Sequence, residues 1–148
     1  MRTMKHILVS TDFSPSSSSA LELAISLATQ FDAELTLLHV WDLPVYPYLE
    51  LTVGTADVTA SIERAAAQCL ETKLKEVQAR LPRAKSLLKM GLPWQQIVEA
   101  TEETKADLLV MGTHGRRGLD HALMGSVAER LVRLSPIPVL SVRAKAKT

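Results

Sequence analysis

The sequence predicts an α/β domain with an open, doubly wound parallel sheet of five strands and helices on both faces. Two observations carry this prediction. Short apolar runs typical of buried strands alternate along the whole chain with longer stretches in which apolar residues recur at helical spacing. In that order, a right-handed crossover helix joins each strand to the next parallel strand, and the helices cover both faces of the sheet.

Strand one is predicted over residues 7–9, a compact apolar run that stops at polar residues. Helix one is predicted over 15–31, where apolar residues recur every three or four positions. The residues Ser16–Ser19, called the serine tract below, lie across its first turns. Strand two is predicted over 34–41 because this segment is apolar and rich in strand-forming residues, and Pro44 follows soon after.

The second half begins with a predicted loop over 42–56, which is long for a compact domain. A long helix then ends before Pro82, and its apolar face includes Cys69, for which a buried thiol is the ordinary expectation. The remaining predicted elements are a strand over 84–90, a helix starting at Pro93, a strand over 107–111 closed by Gly112, a helix over 126–134 and a strand over 137–142.

Length and composition fit a single domain that spans residues 1–148. Hydrophobic residues make up 47% of the chain and charged residues 22%, a globular balance rather than that of a disordered segment. The 17 basic and 16 acidic residues leave a net charge of +1, too weak a field for nonspecific nucleic-acid binding. Any anion site must therefore be local.

Cysteine use and hydropathy favour the cytoplasm. One cysteine cannot form an internal disulfide, so nothing supports an oxidising compartment. The apolar run 7–9 is too short for a signal peptide, and no stretch approaches the ~20 apolar residues of a membrane helix. We therefore expect a cytoplasmic protein with neither a membrane nor a nucleic acid as partner.

The segment between the fourth strand and the last helix carries the strongest functional signal. Gly112 and Gly115 follow the strand, and after nine residues Gly125-Ser126 opens the helix. Glycines can take positive φ and approach an anion closely, and the N–H groups and dipole of a helix start favour negative charge. The spacing thus favours a phosphate chain, although turn and cap roles for the glycines stay open.

Further polar residues lie on the same segment and at neighbouring strand ends. The Ser126 hydroxyl can donate to a phosphate, and His114, Arg116 and Arg117 add cationic or donor capacity. Ligands of open parallel sheets bind beyond the carboxyl ends of the strands. The predicted strand ends that meet at this edge are Thr11 and Asp12 after strand one, Val40 in strand two and Met111 in strand four.

The whole chain, from MKHILVSTDFS near its start to IPVLSV near its end, resembles the universal stress protein family. The pattern Gly112-x-x-Gly115, nine residues, Gly125-Ser126 matches the family's ATP-binding pattern in every required position. The resemblance implies strand order 3-2-1-4-5, bound ATP and homodimers. It assigns phosphates and ribose to the pattern residues and Val127, the adenine to Val40, and ribose or a nucleotide-bound Mg²⁺ to Asp12.

The residues predicted to bind ATP, possibly with Mg²⁺, are Thr11, Asp12, Val40, Met111, Gly112, His114, Gly115, Arg116, Gly125, Ser126 and Val127. The apolar strand 137–142, which the implied order puts at the sheet edge, is predicted to pair with its copy in a homodimer.

Other nucleotide-binding classes lack their sequence patterns here. A dinucleotide oxidoreductase needs G-x-G-x-x-G after strand one, but residues 10–19 contain no glycine, and the P-loop pattern G-x-x-x-x-G-K-[ST] is absent. A receiver domain needs clustered acids where Asp12 stands alone. No general base and nucleophile form a recognisable pair. We favour a regulatory ATP-binding module; a slow Mg²⁺-dependent ATP hydrolase and a nucleotide-independent protein-interaction module remain open.

Four further residues have alternative interpretations. Asp12 is also a candidate N-cap of helix one. His39 lies inside an apolar strand and is predicted to be a hydrogen-bonded core histidine rather than a catalytic base. Trp41 and Trp94 can either stack on a base or anchor the core.

Overall fold

The structure is a computed structural model and describes residues 3–42, 55–114 and 124–144. In chain order its elements are β1 (His6–Ser10), α1 (Pro15–Phe31), β2 (Glu34–Trp41), α2 (Thr55–Gln78), β3 (Lys85–Met90), α3 (Pro93–Glu103), β4 (Leu108–Gly112), α4 (Ser126–Leu134) and β5 (Val139–Val142).

All five strands are parallel and form one sheet in the order β3-β2-β1-β4-β5, which confirms the predicted fold class and the implied strand order. Strand β1 lies at the centre, with β2 on one side and β4 on the other. The chain builds one half of the sheet outward from β1 and then returns to build the other half. The carboxyl ends of β1 and β4 are therefore the switch point, where open sheets bind ligands.

The sheet separates two apolar clusters. On one face, α1 and α2 cover residues such as Ile7 and Val9, and on the other face α3 and α4 cover Leu8. The alternation along β1 follows from the two-residue period of a strand. Small residues on α1, Ala20 and Ala24, are fully buried and let this helix lie close to the sheet.

Helix α1 begins and ends where local chemistry dictates. Ser14 is its N-cap and accepts a hydrogen bond from Ser17 N at 3.3 Å, and Pro15 follows in the first turn, where its missing N–H costs nothing. The helix ends at Asp32, whose left-handed backbone (φ 52°) ends the helical hydrogen bonding. Asp12 is therefore not the cap, which answers the alternative raised by the sequence.

Apart from shifts of one residue at the ends of β1, β3 and β4, three predictions from the sequence need correction. Strand β5 starts at Val139 rather than at residue 137, because Pro138 has no N–H to donate to the ladder. Helix α2 starts at Thr55, inside the predicted loop, and residues 43–54 of that loop lie outside the described residues. Cys69 is exposed rather than buried, because it lies at the margin of the apolar face of α2, on which Leu70 and Val77 are buried.

None of the helices in the described ranges is both long and apolar enough to cross a membrane.

Candidate functional site

A cavity of about 390 Å³ lies at the carboxyl-terminal edge of the sheet, at the switch point between β1 and β4. Its volume lies in the range of small-molecule sites. The described residues that line it are Ser10, Thr11, Asp12, Ser17, Val40, Pro93, Ile97, Met111, Gly112, Thr113, His114, Gly125, Ser126, Val127 and Ala128.

Part of the cavity lining is apolar. Ile97, Met111 and Ala128 are buried members of the cluster under α3 and α4, and Val40 and Val127 pack against that cluster. The cavity therefore borders one of the two apolar clusters, the one that α3 and α4 cover. Apolar walls of this kind accept a planar, weakly polar group such as a nucleobase or another aromatic ring.

The start of helix α4 is also part of the cavity lining. Gly125 occupies the N-cap position, where no side chain accepts from the helix, and the first helical bond runs from Glu129 N to Gly125 O at 3.0 Å. The N–H groups of Ser126, Val127 and Ala128 are those that an α-helix leaves without an internal acceptor. With the helix dipole, they favour a negative charge at the start of α4.

The turn between β1 and α1 forms the third wall. Asp12 is half-buried, and its Oδ1 accepts a hydrogen bond from Ser14 N at 3.0 Å, so the carboxylate also orders the approach to α1. Phe13 has a left-handed backbone (φ 64°), which is unfavourable for a side chain with a Cβ. Its N–H donates to Thr11 Oγ1 at 3.0 Å, and this bond helps to hold the turn.

His39 supports this turn from below. The ring is 6% exposed, and its Nδ1 lies 2.8 Å from the carbonyl oxygen of Thr11, so Nδ1 carries a proton and donates. The Phe13 ring lies over it with centroids 4.6 Å apart. This confirms the prediction of a hydrogen-bonded core histidine.

Thr113 ties together the two ends of the segment between β4 and α4. Its N–H donates to Val142 O at 2.9 Å, and its carbonyl accepts from Gly125 N at 2.6 Å. Its hydroxyl lies 2.9 Å from Nδ1 of His114. The other ring nitrogen of His114, Nε2, is buried and has no hydrogen-bond partner in the described part of the chain.

The structure brings nine of the eleven predicted site residues to this one cavity. They are Thr11, Asp12, Val40, Met111, Gly112, His114, Gly125, Ser126 and Val127. The other two, Gly115 and Arg116, lie outside the described residues, as does Arg117. Trp41 is buried in the core, and Arg130 stacks on Trp94 at 5.3 Å; neither tryptophan is among the described lining residues.

The glycines act differently from the prediction. Neither Gly112 nor Gly125 has a positive φ; within the described ranges, Gly91 is the glycine that does (φ 139°). Gly125 has φ −62° and ψ 155°, a conformation open to any residue. Gly112 is instead required by close packing, since a Cβ there would lie 2.7 Å from the carbonyl carbon of Ser16. Space rather than backbone conformation explains the glycine at 112.

Sequence reasoning missed six lining residues: Ser10, Ser17, Pro93, Ile97, Thr113 and Ala128. Ser10, Thr113 and Ala128 each adjoin a residue that was predicted, so including the immediate neighbours would have found them. Ser17, Pro93 and Ile97 lie on the first two turns of helices, and their position depends on how each helix packs.

Asp12 is the one carboxylate among the described lining residues, and no three His, Cys, Asp or Glu side chains within the described ranges come together as metal ligands.

Solved structures share this fold. Universal stress protein UspA from Lactobacillus plantarum superposes with a TM-score of 0.81 at 23% identity, covering 97% of this chain and 100% of the other. A universal stress protein in complex with cAMP gives a TM-score of 0.70 at 24% identity, over 97% and 100%. An Arabidopsis thaliana family member with AMP bound gives 0.65 at 21%, over 96% and 93%. At these identities the likeness establishes the fold.

Sequence comparison identifies the family. A model of the universal stress protein family matches residues 3–143. The universal stress protein MJ0531 of Methanocaldococcus jannaschii is 36% identical over 145 residues, which cover 97% of this chain and 84% of that protein. The sequence matches and the structural matches point to the same family. The chain therefore belongs to the universal stress protein family.

Proposed function

We propose that the chain is a cytoplasmic regulatory module of the stress response that binds ATP in the cavity at the switch point. The observation that carries the proposal is the presence of two unlike kinds of group in one cavity lining. Apolar side chains, among them Ile97 and Met111, line it together with the start of α4, whose first N–H groups have no acceptor within the helix. An adenine nucleotide offers a partner to each, with an aromatic base at one end and phosphates at the other.

Two structures of the same fold support this choice of ligand, because one contains AMP and one contains cAMP. Both ligands share the adenosine part of ATP. In this chain the base would lie against Val40 and Met111, and the ribose near Asp12. The phosphates would contact the start of α4 and the segment from Gly112 to Arg116. An Mg²⁺ ion bound to the phosphates would then be within reach of Asp12.

Nucleotide carried through purification is the most direct test. The purified protein is denatured, and released small molecules are separated by chromatography and identified by mass. We expect to find ATP or its hydrolysis product ADP, at a molar ratio to the protein that approaches one nucleotide per chain. Incubation of the loaded protein with Mg²⁺ before denaturation measures how fast ADP accumulates, and this separates a binding module from a slow hydrolase.

ATP with Mg²⁺ is expected to raise the melting temperature by about 5–10 °C at a concentration about 100 times the Kd. A ligand that binds only the folded state adds about 2.7 kcal/mol under those conditions, and each kcal/mol is worth roughly 2–4 °C in a chain of this size. Adenosine and tripolyphosphate, tested at the same concentration, should each give less. An unchanged melting curve at millimolar ATP would leave the protein-interaction module as the better explanation.

We also propose a homodimer formed through strand β5. This strand pairs with β4 on one side and lies at the sheet edge, and Val139 and Val142 are half-buried in the single chain. The neighbouring helix α4 exposes Val132 and Leu134, each by more than half. An apolar edge of this kind is usually covered.

Light scattering is expected to give about twice the 16.2 kDa mass of one chain. Val139→Lys is expected to shift the mass toward that of the monomer, because a charged side chain at the edge opposes pairing. Val132→Lys is the companion variant on α4. A monomer mass for the parent at high concentration would refute the dimer.

A further inference from the structure

We infer that Ser16 is a positioning residue of the proposed nucleotide site: it fixes the backbone at the start of the segment between β4 and α4, without lining the cavity. The effect on nucleotide binding rests on the proposed function. The backbone contact itself does not, and it is tested separately below.

The first turn of α1 lies directly against the end of β4. A Cβ added to Gly112 would lie 2.7 Å from the carbonyl carbon of Ser16 and 2.8 Å from the backbone nitrogen of Ser17. Real Cβ atoms are essentially never that close to backbone atoms, so the glycine is what allows this approach. The hydroxyl of Ser16 is thereby brought to the residues that follow Gly112.

That hydroxyl bridges both backbone groups of His114. Ser16 Oγ donates to the carbonyl oxygen of His114 and accepts from the N–H of His114, with Oγ and N 3.3 Å apart. Ser14 Oγ adds a longer bond to the same carbonyl, at 3.4 Å. A hydroxyl can donate and accept at once, so alanine at position 16 would remove both bonds to His114 together. Ser16 is 3% exposed, so water would not readily replace them.

These bonds hold the first residues of the segment between β4 and α4. Thr113 is already held to Val142 and Gly125 through its own backbone. Ser16 fixes the next residue, His114, which lines the cavity and leads into Gly115 of the proposed phosphate-binding pattern. Ser16 is not among the described lining residues, whereas its neighbour Ser17 is. An effect of Ser16 on ligand binding would therefore act through His114.

The first two residues of the serine tract have distinct roles in the structure. Serine is only a moderate helix former, so the tract is not explained by helix propensity. Ser17 donates its N–H to the Ser14 cap, and Ser16 holds His114. Ser18 is exposed on the same turn. Ser18→Ala therefore makes the same chemical change in the same helix without reaching β4, and it is the matched control for Ser16→Ala.

The first test uses protein freed of nucleotide. Hydrogen exchange of the His114 amide, followed by NMR, is expected to be at least about tenfold faster in Ser16→Ala than in the parent, because the amide loses its acceptor. Ser18→Ala should leave it unchanged, and circular dichroism should show all three proteins folded. Ser16→Cys, which keeps a weaker donor and acceptor, should fall between. Unchanged exchange at His114 in Ser16→Ala would overturn the inference.

The second test compares ATP with adenosine by calorimetry. Ser16→Ala is expected to weaken ATP binding about tenfold and adenosine binding less than twofold, because His114 belongs to the residues proposed to bind the phosphates rather than the base. Equal weakening of both ligands, or of neither, would mean that Ser16 does not position the phosphate-binding segment. If the parent binds neither ligand, the proposed function is wrong, and the exchange experiment still decides whether Ser16 holds His114.

Discussion

Gly112→Ala is expected to destabilise the fold by about 2–3 kcal/mol, the range of a poorly tolerated overpacking change. The added methyl would lie within 2.8 Å of backbone atoms of Ser16 and Ser17, and backbone in the first turn of a helix cannot rotate away as a side chain can. Either α1 moves off the sheet or β4 bends. Thermal unfolding should show the melting temperature lowered by about 5–10 °C.

A double variant distinguishes a clash with the Ser16 hydroxyl from a clash with the backbone of α1. If the methyl met only the Ser16 hydroxyl, Gly112→Ala combined with Ser16→Ala would return most of the lost stability. We expect it to return little, because the carbonyl carbon of Ser16 remains 2.7 Å away. Gly125→Ala is the companion glycine change, at φ −62°, and it should cost less than about 1 kcal/mol. Equal melting temperatures for Gly112→Ala and the parent would contradict this prediction and would show that α1 can shift away from the added methyl at no cost in stability.

Gly125→Val is expected to weaken ATP binding at least about 100-fold, equivalent to about 2.7 kcal/mol, while the domain stays folded. Valine can adopt the backbone conformation of Gly125 (φ −62°, ψ 155°), so the fold should tolerate it. Its two methyl groups would, however, project at the start of α4, where a phosphate must come within hydrogen-bond distance of the helix N–H groups. Calorimetric titration with ATP measures the loss.

Two neighbouring variants calibrate that result. Met124 is 40% exposed and is not among the described lining residues, so Met124→Val should bind ATP like the parent. Ser126→Ala deletes one hydroxyl donor and keeps the backbone N–H groups, so it should cost on the order of 1 kcal/mol. A folded Gly125→Val protein that binds ATP as tightly as the parent would mean that the start of α4 does not hold the phosphates.

Elements with strong end signals were predicted to the residue. Helix α1 starts at Pro15, and α4 starts just after Gly125, as the sequence indicates. Boundaries were missed where the controlling feature was less local. Strand β5 was predicted two residues too early, because its apolar pattern continues through Pro138 although the ladder cannot. The strand order came from the family resemblance, since an alternating pattern of strands and helices fits several orders.

The site was predictable to the extent that it lies at strand ends. Thr11, Asp12 and Met111 follow from the rule that parallel strands present their carboxyl ends at one edge. Ile97 and Ser17 were not predictable in this way, because each reaches the cavity only through the packing of its helix on the sheet. The need for glycine at position 112 has the same origin, since it depends on residues of α1 nearly 100 positions earlier in the chain.

The division of the core by the sheet bears on how the domain unfolds. The two apolar clusters lie on opposite faces, and the cavity borders both helical layers, with Ser17 from α1 on one side and Ile97 and Ala128 from α3 and α4 on the other. A molecule bound there would contact both layers at once. Partial opening of either layer would then cost the binding free energy as well, so occupancy would suppress half-open states and make the unfolding transition more nearly all-or-none.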